Sequence, residues 1–207
     1  ELPLEGKIAG ILHTENDSMA DAVISDRTNL LYGTEYIYET VLGLQFKISP
    51  FSFFQTNTKS AERLYDRARS YVGDTKDAVI FDLYSGTGTI AQLLAPVAKK
   101  VIGVELNEAA VHDARVNVKM NKIQNVDIYS NDAGRFMVDV AEEGDSIDVV
   151  FMDPPRSGST EEFMSSVITL GPKRVVYISC GPESLARDLK YMIKNGYQVI
   201  KMTPVDM

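Results

Sequence analysis

The sequence predicts an α/β fold with a doubly wound, mostly parallel sheet, preceded by a small β-rich segment. From Ala78 onward, short apolar runs alternate with stretches whose apolar residues recur at helical spacing. The apolar runs are continuous rather than strictly alternating, which is typical of parallel strands buried on both faces. Ligands of such sheets bind outside the carboxyl ends of the strands, so the residues that follow each strand are the candidates for chemistry.

The β-rich prediction covers the first fifty or so residues. KIAGILHTE, EYIYETVL and LQFKIS are rich in β-branched and aromatic residues, and the last two runs flank Gly43 as a hairpin would. A helix is predicted from Thr58 to Val72, with Gly73 at its end. We therefore divide the chain into a β-rich lead-in over residues 1–57 and an α/β domain over residues 58–207.

Strands and helices then alternate to the end of the chain. The predicted strands are AVIFDLY, VIGVEL, VDIYSND, IDVVFMD, RVVYISC and YQVIKMTPV, and the helices between them are TIAQLLAPVA, EAAVHDARVNVKMN, residues 133–143, EFMSSVITL and ESLARDLKYMIKNG. The segments that end the strands are DLYSG, VELN, SNDA, MDPPR and ISCGP. Because they share one edge of a parallel sheet, we expect them to form one site.

Composition limits the classes of protein that remain. One cysteine cannot form an internal disulfide, which favours a cytoplasmic location, and one cysteine with two histidines makes a zinc site improbable, so no metal is predicted. No apolar run approaches the roughly 18 residues of a membrane span, and ELPLEGK does not resemble a signal peptide. The net charge of −8 requires any nucleic-acid contact to come from local patches.

The glycine-containing segment DLYSGTGTI predicts the first half of the site. Gly86 and Gly88 allow a tight turn and a close approach of the backbone to a ligand, although they could also serve a purely structural turn. Ala91 stands where a dinucleotide fingerprint needs glycine, and no phosphate-binding lysine follows. The loop therefore favours a nucleoside ligand without phosphates.

Two acidic residues end the neighbouring strands. Glu105 is placed to accept hydrogen bonds from both hydroxyls of a ribose. Asp132 is placed either to face an adenine amino group or to cap the next helix. Together with the glycine loop, these acids resemble the fold of S-adenosylmethionine-dependent methyltransferases over residues 78–205.

The segments MDPPR and YISCGP predict the reacting half. Two prolines stiffen the loop after Asp153, whose carboxylate could accept from a nucleobase imide N–H. Arg156 stands where enzymes that methylate exocyclic amines carry an aromatic residue, which argues against that activity. A lone cysteine is usually a small buried hydrophobe. Cys180, however, ends a strand before a turn and a helix start, and this position favours a thiolate nucleophile.

In order along the chain, FSFFQTN, DLYSGTGTI, VELN, DPPRSG and YISCGP resemble the RNA (uracil-5-)-methyltransferases. These bacterial enzymes methylate tRNA or 23S ribosomal RNA, and the details are more similar to the 23S branch. The resemblance implies S-adenosylmethionine as cofactor, RNA as partner, Cys180 as nucleophile, and a cofactor site that includes Gln55, Tyr84, Glu105 and Asp153. It implies no oligomeric state.

The implied chemistry explains the need for a cysteine. Thiolate addition at uracil carbon 6 makes carbon 5 an enolate nucleophile that can attack the sulfonium methyl group. The target base has to leave its stack, and Phe53 is a candidate to stack on it, with packing in the core as an equal alternative. Arg156 is a candidate to stabilise the enolate oxygen or to bind a phosphate.

Two features of the family are expected to lie outside this chain. The family's general base is a glutamate after the motif that begins here as PVDM, and an N-terminal oligonucleotide-binding-like domain often precedes the region, so we expect an internal fragment. Three alternatives remain. RNA cytosine-5 methyltransferases typically use two cysteines, exocyclic-amine methyltransferases need none, and a non-catalytic RNA-binding module could retain the fold.

Overall fold

The computed structural model describes residues 6–17, 27–73, 75–144 and 147–207. In chain order the elements are β1 Gly10–Glu15, β2 Arg27–Gly33, β3 Ile37–Val41, β4 Leu44–Ile48, α1 Thr58–Val72, β5 Thr75–Leu83, α2 Thr89–Leu94, β6 Ala98–Glu105, α3 Glu108–Met120, β7 Val126–Ser130, α4 Ala133–Glu143, β8 Val149–Met152, α5 Glu161–Leu170, β9 Arg174–Tyr177 and α6 Pro182–Lys194, with a 3₁₀ turn at Ala95–Val97. The part of the predicted β-rich segment at residues 1–5 and 18–26 lies outside the described residues.

The central sheet has the strand order β7-β6-β5-β8-β9, and all of its neighbouring strands are parallel. The chain moves outward from β5 through β6 and β7, then returns to the other side of β5 for β8 and β9. This reversal creates a switch point at the carboxyl ends of β5 and β8, where ligands of doubly wound sheets bind. The predicted fold class is confirmed.

The sheet is covered on both faces. On one face it packs against α1, α2, α3 and the β3–β4 hairpin, and on the other against α4, α5 and α6. Successive strand residues point to opposite faces, so Ile80 and Phe151 enter the first core while Phe81 and Met152 enter the second. Burial on both faces is the reason that the strands appear as continuous apolar runs.

The predicted hairpin around Gly43 is confirmed. β3 and β4 pair antiparallel through a two-residue turn in which Leu42 and Gly43 have φ of 47° and 84°. Two positive φ values give the turn the twist that hairpin strands need. A second hairpin pairs β1 with β2. The sequence did not predict β2, because its apolar residues Leu30, Leu31 and Tyr32 are exposed and show no buried alternation.

The prediction of a last strand at YQVIKMTPV was wrong. Residues 197–207 have no regular secondary structure, and no strand among the described residues pairs with them. β-Propensity expresses packing against strand neighbours, and Ile200 has none, since it is 86% exposed. The segment instead lies against the end of α1, with the Lys201 ammonium 5.2 Å from the centroid of the Tyr71 ring.

Candidate active site

The loop after β5 forms an open cradle. Tyr84, Gly86 and Gly88 all have positive φ, at 67°, 53° and 74°. Such a conformation is strained for a bulky residue like Tyr84 and natural for glycine. A Cβ placed on Gly86 would meet nothing closer than the Phe53 carbonyl oxygen at 4.0 Å, whereas one on Gly88 would lie 3.1 Å from the Ala114 Cβ. Gly86 therefore presents free backbone to a ligand, and Gly88 permits α3 to pack.

Glu105 is held beside this cradle. Its Oε2 accepts from the Gly86 N–H at 2.9 Å, and its Oε1 accepts from the Asn107 N–H at 2.8 Å. Each carboxylate oxygen has a second lone pair available for a ligand hydroxyl. Asp132, in contrast, is exposed and caps α4, where its Oδ1 accepts from the Arg135 N–H at 2.9 Å. The cap is thus formed, and the adenine contact stays a prediction.

Asp82, on β5, is a site residue that the sequence did not single out. It is fully buried, and neither carboxylate oxygen has a hydrogen-bond partner of acceptable geometry among the described residues. Burial raises the pKa of Asp82 well above its ordinary value, although the nearby Ala91 backbone N–H lowers this pKa in part. The nearby charges of Asp153 and Glu105 raise it further. The buried Ser85 hydroxyl also lacks a partner there. Unpaired buried polar groups are costly, so this cluster favours a polar ligand. The sequence signal was one acid inside the apolar run VIFDLY.

Asp153 follows β8 at the switch point. Its main-chain N–H donates to the Leu83 carbonyl at 3.4 Å, which places it beside the end of β5. The side chain is half-buried, and burial raises the pKa of Asp153 to about 6. The carboxylate therefore titrates near neutral pH, as acids in functional sites often do.

The loop after Asp153 is clamped by α6. The Arg187 guanidinium donates from Nη2 to the carbonyls of Ser157 and Ser159 at 2.9 and 3.0 Å. The buried Asp188 carboxylate accepts from the Ser159 N–H at 2.9 Å and from the Tyr177 hydroxyl at 2.8 Å. A Cβ on Gly158 would lie 2.6 Å from Arg187 Nη2, so this clamp requires glycine in the DPPRSG segment.

Cys180 is exposed and lies between β9 and α6. A Cβ on the adjacent Gly181 would lie 2.8 Å from the Arg156 carbonyl oxygen and 2.7 Å from Ser184 Oγ. Only glycine lets these two loops approach so closely. The Ser184 hydroxyl donates to that same Arg156 carbonyl at 2.9 Å. The sulfur is therefore accessible, its loop packs against the loop of Arg156, and the alternative of a buried structural cysteine does not apply.

The FSFFQTN segment lies against the glycine loop. Phe53 is 72% exposed, whereas Phe54 packs towards the core with its ring centroid 6.0 Å from that of Phe46. Phe54 therefore packs against the core, and Phe53 does not. Gln55 is half-buried. The structure places the residues predicted for the site along the carboxyl edge of the sheet, with Phe53 the most exposed of the aromatic residues there, and their individual roles stay predictions.

No group of three or more His, Cys, Asp or Glu residues in the described ranges could hold a metal ion. Among the helices described, none combines the length and the apolar character needed to cross a bilayer.

The raised pKa of Asp153 predicts a pH dependence of stability. Burial raises this pKa to about 6, whereas an unfolded aspartate titrates near 3.9. The folded state binds the proton more tightly, so the Asp153 contribution to stability falls as pH rises from about 4 through about 6. We expect Asp153→Asn to raise the free energy of unfolding by about 1–2 kcal/mol at pH 7 and by almost nothing near pH 4. Urea denaturation of both proteins measures this difference, and an equal gain at the two pH values would contradict it.

Comparison with known proteins identifies the family. The family model described as tRNA (Uracil-5-)-methyltransferase matches residues 22–206. An RNA methyltransferase from Clostridium tetani is 47% identical over 203 residues, which cover 98% of this chain and 44% of the relative. One from Caldanaerobacter subterraneus is 45% identical over 200 residues, covering 97% and 44% of the two chains. The chain thus spans just under half the length of these relatives.

A solved structure agrees with this match. The crystal structure of Pyrococcus abyssi tRNA (uracil-54, C5)-methyltransferase in complex with S-adenosyl-L-homocysteine superposes with a TM-score of 0.74 at 31% identity. The match covers 90% of this chain and 45% of the Pyrococcus chain. Because the family model matches most of a chain that also has the expected sheet and loops, the protein belongs to the tRNA (uracil-5-)-methyltransferase family.

Proposed function

We propose that the chain carries the cofactor site and the nucleophile of an enzyme that transfers a methyl group from S-adenosylmethionine to carbon 5 of a uridine in RNA. The observation that supports this most is the position of the sole cysteine. Cys180 is exposed at the carboxyl edge of the sheet, on a loop packed against the loop of Arg156. That loop also carries Asp153, whose main chain bonds to the strand that leads into the glycine cradle.

The residues at the cradle fit S-adenosylmethionine. The free face of Gly86 leaves room for a ligand, and the unpaired oxygens of Asp82 and Ser85 need polar partners. The orientation of Glu105 suits two ribose hydroxyls. The proposed cofactor residues are Gln55, Tyr84, Gly86, Glu105, Asp132 and Asp153. The bound cofactor supplies an electrophilic methyl group on a sulfonium.

In the proposed chemistry, the Cys180 thiolate forms a bond to carbon 6 of uracil. The electron pair of the 5,6 double bond moves onto carbon 5 and the carbonyl oxygen, where Arg156 can stabilise the negative charge. Carbon 5 would then attack the methyl group of the bound cofactor, whose carbon–sulfur bond would break with its electron pair returning to sulfur, so that S-adenosylhomocysteine leaves. Removal of the proton from carbon 5 by a base restores the double bond and breaks the bond to sulfur, which leaves as thiolate. Phe53 offers an exposed ring on which the extruded base can stack.

The substrate proposal favours 23S ribosomal RNA, because the sequence motifs are more similar to that branch. Transfer RNA is the second candidate, because the structural relative from Pyrococcus abyssi is a tRNA (uracil-54, C5)-methyltransferase. In either case the acidic chain, with a net charge of −8, can bind phosphates only through local basic groups such as Arg156.

Nucleoside mass spectrometry tests the proposal. The purified full-length protein would be incubated with S-adenosylmethionine and, separately, with unmodified 23S ribosomal RNA and tRNA. We expect 5-methyluridine, with ribosomal RNA as the better substrate. Preferential methylation of tRNA would assign the second candidate, whereas 5-methylcytidine or N-methylated bases alone would contradict carbon-5 methylation of uridine.

The cofactor role of Glu105 gives a separate prediction. Glu105→Gln removes the negative charge and replaces one of the two carboxylate oxygens with an amino group, which cannot accept from a ribose hydroxyl. We therefore expect the affinity for S-adenosylhomocysteine to fall roughly 10–50-fold. Isothermal calorimetry measures it. Glu108→Gln is the matched control, since Glu108 begins α3 nearby and is exposed, and its affinity should equal that of the parent. Equal affinities in both variants would remove Glu105 from the site.

A further inference from the structure

A stripe of polar side chains along α3 hydrogen-bonds to the backbone of β4, as a neighbouring strand would. Asp113, Asn117 and Asn121 are spaced four residues apart, so they lie on one side of the helix. The Asn121 amide accepts from the Gln45 N–H at 3.1 Å and donates to the Gln45 carbonyl at 2.8 Å. The Asn117 amide pairs with the N–H and carbonyl of Lys47 in the same way, at 2.7 and 3.1 Å.

A helix can pair with a strand in this way because the spacing of its side chains nearly matches the spacing of residues along the strand. Four residues of helix rise about 6.0 Å, and two residues of strand rise about 6.8 Å. An asparagine amide offers both a donor and an acceptor, as a strand residue does. The same amides also reach the glycine loop. Asn117 donates to the Thr87 carbonyl at 3.3 Å, and Asn121 donates to Gln92, whose own amide donates to the Gly88 carbonyl at 3.1 Å.

Asp113 occupies the end of the stripe nearest the site. Its Oδ2 accepts from the Ser49 N–H at 2.9 Å and from the Ser52 hydroxyl at 3.2 Å, and the Lys47 ammonium lies 3.6 Å from its Oδ1. Asp113 is fully buried. These bonds fix the chain immediately before Phe53, whose carbonyl is the atom closest to the open face of Gly86.

The geometry points to Asp113 as a positioning residue that fixes the loop over residues 49–57 against the glycine loop. By holding Ser49 and Ser52, it orients Gln55 towards the cofactor and Phe53 towards the RNA. A residue that merely stabilises the fold would leave loop order and cofactor affinity unchanged in protein that remains folded. The cofactor part of this inference rests on the proposed function, whereas the loop-ordering part does not.

A tryptophan reporter measures loop order directly. The chain has no tryptophan, so Phe53→Trp, at an exposed position, introduces its one tryptophan into this loop, where it can be excited selectively over the tyrosines. In this background we would compare Asp113→Ala, Asp113→Asn and Ser52→Ala, with Asn121→Ala at the far end of the stripe as the matched control. The readouts are fluorescence anisotropy and calorimetric affinity for S-adenosylhomocysteine, in protein that circular dichroism shows to be folded.

We expect Asp113→Ala to lower the anisotropy and to weaken S-adenosylhomocysteine binding roughly tenfold. Asp113→Asn keeps an acceptor and should retain most of both. Asn121→Ala should leave the anisotropy at the parent value, and it serves as the control for loop order alone because Asn121 also reaches the glycine loop through Gln92. Ser52→Ala removes one bond and should show a smaller shift in the same direction, which decides the matter if Asp113→Ala does not fold. Unchanged anisotropy in Asp113→Ala would overturn the inference. If that variant does not fold, unchanged anisotropy in Ser52→Ala would overturn it. Lower anisotropy with unchanged affinity for S-adenosylhomocysteine would also overturn it. A parent that binds no S-adenosylhomocysteine would instead refute the proposed function, and anisotropy alone would then decide.

Discussion

Replacement of Cys180 by serine is expected to lower the rate of RNA methylation by roughly 10⁴-fold or more, because the hydroxyl is not ionised at neutral pH and cannot add to carbon 6. The covalent protein–RNA complex should disappear at the same time. RNA that contains 5-fluorouridine makes this complex measurable. Fluorine replaces the proton that a base has to remove from carbon 5, so the adduct persists on a denaturing gel.

Cofactor affinity is the control for this variant. Cys180→Ser should bind S-adenosylhomocysteine as the parent does, because the cysteine loop packs against the loop of Arg156 and does not form the glycine cradle. As Cys180 is exposed, an alkylating reagent should modify its thiol in the native protein and reproduce the loss of methylation. Full methylation by either protein would exclude the thiol from the reaction.

Replacement of the buried Asp188 by alanine is expected to destabilise the fold strongly. The carboxylate is 3% exposed and accepts hydrogen bonds from Ser159, Tyr177 and Arg187. Its removal leaves a buried N–H and a partly buried hydroxyl without partners, so we expect the free energy of unfolding to fall by about 3 kcal/mol. Urea denaturation measures the change. Methylation should also fall, since the loop after Asp153 loses its clamp.

The matched control is Asp66→Ala. Asp66 and Arg69 form an ion pair along α1 with an Nη2–Oδ1 distance of 2.8 Å, but the Asp66 side chain is 62% exposed. Exposed pairs of this kind contribute less than about 1 kcal/mol. A loss in Asp188→Ala as small as in Asp66→Ala would show that water satisfies the freed groups and that the clamp is not important for stability.

The position of the site could be predicted from the sequence because it follows from the sheet. Apolar runs define the strands, and the polar segments after them, such as the one that carries Asp153, have to meet at one edge. The glycine loop could also be predicted from the sequence. Gly86 and Gly88 are close together, and glycine is unfavourable inside helices and strands, so the pair indicates a tight turn.

What the sequence did not reveal depends on contacts between distant residues. Asp82 looked like one acid in an apolar strand, and only its burial without well-placed partners makes it a candidate for the site. Asp113 and Asn117 looked like the polar face of an ordinary helix. Asn117, however, pairs with Lys47 of β4, and Asp113 pairs with Ser49 just after that strand, both more than sixty residues earlier in the chain. The last predicted strand was wrong because propensity cannot supply a partner strand.

Mass mapping of the covalent complex tests the central claim most directly. After trapping with S-adenosylmethionine and RNA that contains 5-fluorouridine, trypsin should release residues 175–187, which include Cys180, as one peptide. The account predicts that this peptide carries a fluorouracil nucleotide with one added methyl group, attached at the cysteine sulfur. A methylated RNA product with an unmodified Cys180 peptide, or an adduct on any other residue, would contradict it.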